Sequence, residues 1–300
     1  MSRNAKHNDP SIAGDESNSD SDSSLQDGDV IKTSYKQLPV PIPPTYLTTT
    51  PSDAKPITYQ IIDFTQTPLP EYKDNYAAIL DNVLSPSECS VLISLAESSV
   101  PSRSGNEKGA WRPALVNYGD GYEALDREYR NSDRIIWDCQ DVMGRLWDRI
   151  STIQAVREKL AEVQEEGRKG KMKKWKFARL NERGRFLKYS GGQYFRPHCD
   201  GAYSEKKGDK VYRTHYTLHL YLNDSVAEAE PEQKTATDLV GGATSFLSDD
   251  EGRKYDVNPK AGRVLIFQHD GMYHSGDDVV QGTKYTMRTD IMYELQRASA

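Results

Sequence analysis

The sequence predicts an α+β chain: a disordered N-terminal tail, a helical first half, and a second half of antiparallel strands rolled into a jelly roll. Three observations carry that expectation. After Phe177, short runs rich in Tyr, Thr, Val and Ile alternate with Gly, Asp and Asn turns, and no helical pattern comes between them. Before that point apolar residues recur at helical spacing behind a clear helix-start signal. Residues 1 to about 30 are rich in Ser, Asp and Asn and nearly free of large apolar groups, too few to offset chain entropy. The division that follows is a tail over residues 1–56 and one domain over 57–300. Within the domain, helical support spans 80–176 and the jelly-roll core spans 177–295.

Each element has its own signal. In the tail, the Ser/Asp run over 17–24 reads as a solvating segment. The proline-rich stretch over 38–44 reads as extended and polyproline-like, a linker or a strap over the domain. Ser85-Pro-Ser-Glu88 starts a helix, with Ser85 as N-cap, Pro86 in the first turn and Glu88 closing a capping box; Leu92, Leu95 and Ala96 supply its apolar stripe. A longer helical region is expected over 133–164, from Leu146, Ile150, Ile153, Val156, Leu160 and Val163 at turn-like spacing, with Gly144 a weak point. Strands are expected over 185–189, 215–222, 243–247, 263–268 and 284–293, with Gly282 turning a hairpin into the last of them. The polar, acidic stretch over 224–239 lacks periodicity and reads as a long loop, a candidate lid.

Composition narrows the function classes. A net charge of −6 gives no reason to expect nucleic acid or membrane as a partner. The six Lys and Arg residues over 168–176 therefore read as a solvated loop, since no recognition motif accompanies them. Met1 to His7 lack the apolar run of a secretory leader, and no stretch has the apolar length to span a bilayer. The three cysteines, Cys89, Cys139 and Cys199, lie far apart and make an odd count. Neither a disulfide framework nor a Cys-based zinc site is expected, which favours an intracellular, cytoplasmic or nuclear, setting.

The chemistry gathers in Tyr189-Ser-Gly-Gly-Gln-Tyr-Phe-Arg-Pro-His198-Cys-Asp200, together with His274. Two imidazoles and one carboxylate make the 2-His-1-carboxylate triad, which leaves open positions on a non-haem Fe(II). On a strand, residues two apart share a face, so His198 and Asp200 can reach one metal. His274 follows the strand-like Val264-Leu-Ile-Phe-Gln268. Spacing alone leaves a second reading open, in which both histidines are hydrogen-bonded turn residues. His215 and His219 have a zinc-like helical spacing, but their neighbours read as a strand, so both are taken as core or wall residues. Lys284, Thr286 and Arg288 share one face of the last strand. Inward-facing cations there need partners, and a dicarboxylate co-substrate is one; a salt bridge to Asp290 or another acid is the alternative for one of them.

The order Tyr189, His198-x-Asp200, His274, Lys284 resembles the Fe(II)- and 2-oxoglutarate-dependent dioxygenases of the prolyl 4-hydroxylase type, and Gly241-Gly-Ala-Thr-Ser-Phe246 resembles that family's Gly-Gly-x-Thr-x-Phe strand. The resemblance covers roughly residues 76–293 and is strongest from Arg185 onward. It implies a double-stranded β-helix with supporting N-terminal helices. It also implies Fe(II) on His198, Asp200 and His274, with 2-oxoglutarate against Tyr189 and Lys284; Thr286, on the same strand face as Lys284, is a further candidate contact. Arg288 departs from the family's pattern and is a second candidate for the far carboxylate. The activity implied is hydroxylation of an unactivated C–H with O2, releasing succinate and CO2, with ascorbate as a candidate helper. A prolyl residue in a protein and a small molecule are both candidate substrates. The competing readings are a catalytically inactive jelly-roll binding module and a cupin-like metal enzyme that does without 2-oxoglutarate. Cys199, between two ligands, is expected to point away from the metal.

Overall fold

A computed structural model describes residues 25–102, 109–119, 121–167, 170–229 and 237–296. The expected disorder of residues 1–24 and the Ser/Asp run within them lie outside the described residues. Two antiparallel sheets dominate. The larger has 11 strands, and its main path runs Thr58–Ile61, Ala77–Asp81, Val264–Gln268, Lys210–Tyr221, Thr283–Gln296, Arg183–Ser190, Asp133–Asp138, Arg112–Pro113. The smaller runs Lys254–Val257, Thr244–Leu247, His274–Gly276, Tyr194–His198, Arg130–Asn131. Apart from the consecutive pairs Thr58–Ile61 with Ala77–Asp81 and Thr244–Leu247 with Lys254–Val257, neighbours along both paths are far apart in sequence, as the jelly roll requires, and the five strands expected in the second half all form.

Strand parity sorts the side chains of the larger sheet. Leu218, Leu220, Val264, Ile266, Phe186 and Met287 face one way and pack with the helices. Tyr221, Leu265 and Phe267 face the other way and meet Phe246 and Val257 of the smaller sheet, with Phe64 and Met272. The same parity turns Arg185, Leu187 and Tyr189, Thr217 and His219, and Lys284 and Arg288 into a cavity between the sheets.

The support is less helical than its sequence suggests. Helix α1, Pro86–Ser98, starts as expected: the Ser85 side chain accepts from Glu88 N and the Glu88 carboxylate accepts from Ser85 N. The long helix expected over 133–164 is instead a strand, Asp133–Asp138, then α2, Gln140–Ile150, α3, Gln154–Lys159, and a strand, Glu162–Glu166. The correction has a physical cause. Ile135, Ile136 and Trp137 are β-branched or aromatic residues buried in the larger sheet, where pairing with the strand Arg183–Ser190 outweighs helix periodicity. Gly144 sits within α2 without breaking it. The expected basic loop over 168–176 is also corrected. Residues 168 and 169 lie outside the described residues, but Met172–Leu180 is a strand in which Trp175 turns inward, 3% exposed, between exposed lysines. Its Phe177 ring stacks on Trp147 of α2 at 4.2 Å.

The disorder expected over 1–56 does not hold for residues 25–56. Val30–Lys32 pairs with Tyr122–Ala124, and Tyr46 and Leu47 are buried in the helix-side core. The proline-rich stretch is a strap: Arg145 of α2 donates to the carbonyls of Pro43 and Tyr46 at 3.0 and 2.8 Å. Prolines offer acceptors without competing donors, which suits them to that role. Gly282 adopts φ +76°, where a Cβ would meet Asp238 at 2.5 Å. It makes a sharp turn and not a hairpin, because the preceding strand, Val279–Gln281, pairs with Val240–Gly241. The loop expected over 224–239 is described only at its ends; residues 230–236, the middle of the candidate lid, lie outside the described residues. No helix among the described residues is long and apolar enough to cross a membrane.

Candidate metal and co-substrate site

Register brings the distant histidine home. In the smaller sheet His198 lies directly opposite His274, and His274 opposite Phe246. Asp200 follows two residues after His198, and the one ligand atom that each of the three offers lies within 4.8 Å of the others. His198 Nε2 is 3.7 Å from Asp200 Oδ1, and His274 Nε2 is 3.8 Å from Asp200 Oδ2.

The donor chemistry fits a divalent metal. His198 Nδ1 is 2.8 Å from the Arg196 carbonyl and His274 Nδ1 is 2.9 Å from the Met272 carbonyl. A carbonyl only accepts, so each Nδ1 carries the proton and each Nε2 keeps a lone pair aimed at the shared point. Burial, with repulsion from His274, pushes His198 down to about 3, so its imidazole is neutral. Burial also lowers His274, though Asp200 opposes it. Burial would raise Asp200, but Arg288, His274 and His198 hold its carboxyl well below the usual range. Two neutral imidazoles and a carboxylate are therefore ready in the protonation states a metal needs. Thr217 Oγ1 donates to Asp200 Oδ2 at 2.5 Å, and Arg288 pairs with Oδ1 at 2.7 Å. Cys199, between the ligands, is exposed and stands outside the convergent group.

These residues open on a cavity of about 420 Å³ whose lining includes Tyr189, His219, Thr244, Lys284 and Arg288. The structure separates the two candidate cations. Lys284 is 1% exposed, makes no ion pair among the described residues, and lies with Nζ 4.9 Å from the Tyr189 ring centroid. Burial pushes it down to about 8. Arg288 is already engaged by Asp200 and, at 3.2 Å, by Asp290. Thr286, between them, is fully buried with Oγ1 lacking a hydrogen bond, and it is not among the residues lining the cavity. His219 is a wall residue on the strand Lys210–Tyr221, while His215, on the same strand, is not on the wall. The salt bridge to Asp290 that the sequence offered as an alternative is made by Arg288. Sequence reasoning missed Thr217, Arg130 and Arg134, which reach the cavity through pairing between remote strands.

Residues 184–289 match the family model described as the 2OG-Fe(II) oxygenase superfamily. Among solved structures, the chain is similar to a Pseudomonas putida prolyl-4-hydroxylase at 16% identity, covering 74% of this chain and 95% of that one, with a TM-score of 0.44. It is similar to a Trichoplax adhaerens prolyl hydroxylase solved with a hypoxia inducible factor oxygen degradation domain peptide fragment, at 16% identity, 74% and 85% coverage and a TM-score of 0.44. A viral collagen prolyl hydroxylase from Paramecium bursaria Chlorella virus-1 is similar at 17% identity, 72% and 95% coverage and a TM-score of 0.40. No curated protein matches the chain. The matched segment holds His198, Asp200, His274 and Lys284 and identifies residues 184–289 as a 2OG-Fe(II) oxygenase domain, a dioxygenase domain that works with Fe(II), 2-oxoglutarate and O2.

Proposed function

We propose that His198, Asp200 and His274 hold the Fe(II), that Lys284 and Tyr189 receive 2-oxoglutarate, and that the chain hydroxylates an unactivated C–H, a prolyl residue in a protein being the leading candidate substrate. The observation that carries the reading is the convergence of the three ligand atoms within 4.8 Å. Bound there with 2-oxoglutarate, the metal supplies the oxygen-activating chemistry, with succinate and CO2 as by-products.

The chain's own residues set the stage for that chemistry. The carbonyls of Arg196 and Met272 fix the tautomer and tilt of the two imidazoles. Lys284 offers a desolvated ammonium to the far carboxylate of 2-oxoglutarate, where a charge-assisted bond is strong and orienting. Tyr189, 3% exposed, packs with Leu187, Leu239 and Val279, so the co-substrate arm enters a dry pocket. Arg288 is committed to Asp200 and Asp290, which favours Lys284 as the anchor. The test is succinate release from 2-oxoglutarate with Fe(II) and ascorbate. Wild type should show slow uncoupled turnover, and His274→Ala should show none. A screen of peptides for gain of one oxygen atom would then name the substrate. Failure of wild type to bind 2-oxoglutarate in calorimetry would end the reading.

A further inference from the structure

The cavity is charged opposite to the protein that contains it. The chain carries a net −6, yet six cations line the cavity against three carboxylates. The cations are Arg130, Arg134, Arg183, Arg185, Lys284 and Arg288; the carboxylates are Glu123, Asp200 and Asp290. A bound Fe(II) and a 2-oxoglutarate dianion cancel each other, so they leave that excess in place.

Local pairing does not remove it. Arg134 is held by Glu123 at 2.7 Å, Arg185 by Asp290 at 3.0 Å, and Arg183 by Asp138 at 2.8 Å. Arg288 shares Asp290 with Arg185 and is also held by Asp200. Arg130 is different. It is 9% exposed, forms no ion pair among the described residues, and leaves Nε without a hydrogen-bond partner. Its guanidinium lies 4.6 Å over the Phe195 ring, and that ring stacks on the ligand His198 at 3.8 Å between centroids. Burial and the fields of Arg134, Arg288 and Arg185 push Arg130 down to about 10, so it sits in a neighbourhood already rich in positive charge. Tyr189 is its hydrogen-bonding neighbour but brings no charge. A buried guanidinium without a counter-charge is costly, and one that lines a cavity favours an anion there.

Resting on the reading of this cavity as the oxygenase site, we infer that Arg130 and the arginines beside it form an oxyanion subsite for the primary substrate, which presents a carboxylate next to the position oxidised. Lys284 meets the co-substrate's far carboxylate, so Arg130 is left for the substrate's own charge. The flat guanidinium suits a bidentate carboxylate, and Phe195 keeps it from turning away.

The test uses the full chain with Mn(II) and saturating 2-oxoglutarate, which gives binding without turnover. The probes are two matched pairs: acetylated, amidated Glu-Pro-Glu and Gln-Pro-Gln peptides, and free N-acetylaspartate and N-acetylasparagine. At least one acidic member should bind tenfold or more tightly than its neutral twin, and which pair shows the preference tells a peptide side chain from a small acid. Arg130→Gln should erase the preference while 2-oxoglutarate affinity stays within twofold, and Arg130→Lys should restore part of it. Thermal unfolding of both variants with bound 2-oxoglutarate checks that the site is folded. Equal binding of the twins, with 2-oxoglutarate bound normally, overturns this inference alone. So does an Arg130→Gln variant that loses 2-oxoglutarate affinity as strongly as it loses peptide, since Arg130 would then anchor the co-substrate. Absence of 2-oxoglutarate binding to wild type overturns the oxygenase reading beneath it.

Discussion

Replacing Lys284 by methionine should move stability and co-substrate affinity in opposite directions. The side chain is 1% exposed, has no counter-ion among the described residues, and is pushed by burial from 10.5 down to about 8. A displacement of that size corresponds to a burial cost of roughly 3 kcal/mol for the charged form. Methionine keeps length and bulk but has no charge to desolvate, so Lys284→Met should raise stability at pH 7 by up to roughly 3 kcal/mol. The same change removes the ammonium that, among the described residues, lines the cavity without an ion pair. Loss of a buried charge-assisted bond is worth about 2–4 kcal/mol, or roughly 30- to 700-fold in Kd for 2-oxoglutarate. The pH dependence is fixed by the same group. Below about pH 8 the folded and unfolded chains both carry the ammonium, and the folded state bears the full burial cost. Between about 8 and 10.5 only the unfolded chain keeps the proton, so this group's contribution makes the apo protein more stable as pH rises through that window. Binding runs the other way: 2-oxoglutarate affinity should fall as pH rises above about 8, because the anion wants the charged form. Chemical denaturation of wild type and variant at pH 7 and pH 9, with calorimetric titration of 2-oxoglutarate at both, reads all of these. A Lys284→Met protein that is less stable at pH 7 and binds 2-oxoglutarate as wild type does would refute the reasoning.

Other consequences are sharper in one direction. His274→Ala and Asp200→Ala should each abolish stoichiometric Mn(II) binding in calorimetry while far-UV circular dichroism stays that of wild type, since these proposed ligands lie outside the hydrophobic clusters. Glu88→Gln removes the charge from the pair in which Arg149 reaches the carboxylate at 2.6 Å; Arg149 keeps the carbonyls of Val83 and Thr49, so the loss should be about 1.5–3 kcal/mol in urea unfolding. Gly262→Ala should be worse than its small size suggests, because φ is +76° and the new Cβ would fall 1.8 Å from the Leu84 carbonyl oxygen. A loss above about 3 kcal/mol, or failure to accumulate as folded protein, is expected; a neutral result would mean that the 84–262 contact is not native.

Local sequence determined much of this protein. Capping chemistry placed α1, because Ser85, Pro86 and Glu88 act on backbone groups within one turn. Alternation and turn residues marked the strands of the second half, and the two-residue step from His198 to Asp200 is a property of one strand. Signals of this kind fail where a segment's state is set by what covers it. Residues 133–138 and 172–180 are strands because neighbours in the larger sheet bury Ile135 and Trp175, and residues 25–56 are ordered because α2 offers Arg145 to their carbonyls.

The three residues that converge were therefore legible in the chain, and their company was not. His274 meets His198 only through the register of strands 76 positions apart, and Arg288 finds Asp200 only across the cavity between two sheets. Sequence nominated Lys284, with Arg288 as a second candidate; the fold gives Arg288 two carboxylates and Lys284, among the described residues, none, which favours Lys284 as the proposed anchor. Among the described residues it likewise left Arg130 without an acid. Charge pairing over long separations depends on which side chains the folded sheets bring within a few ångströms, and no periodicity along the chain encodes that.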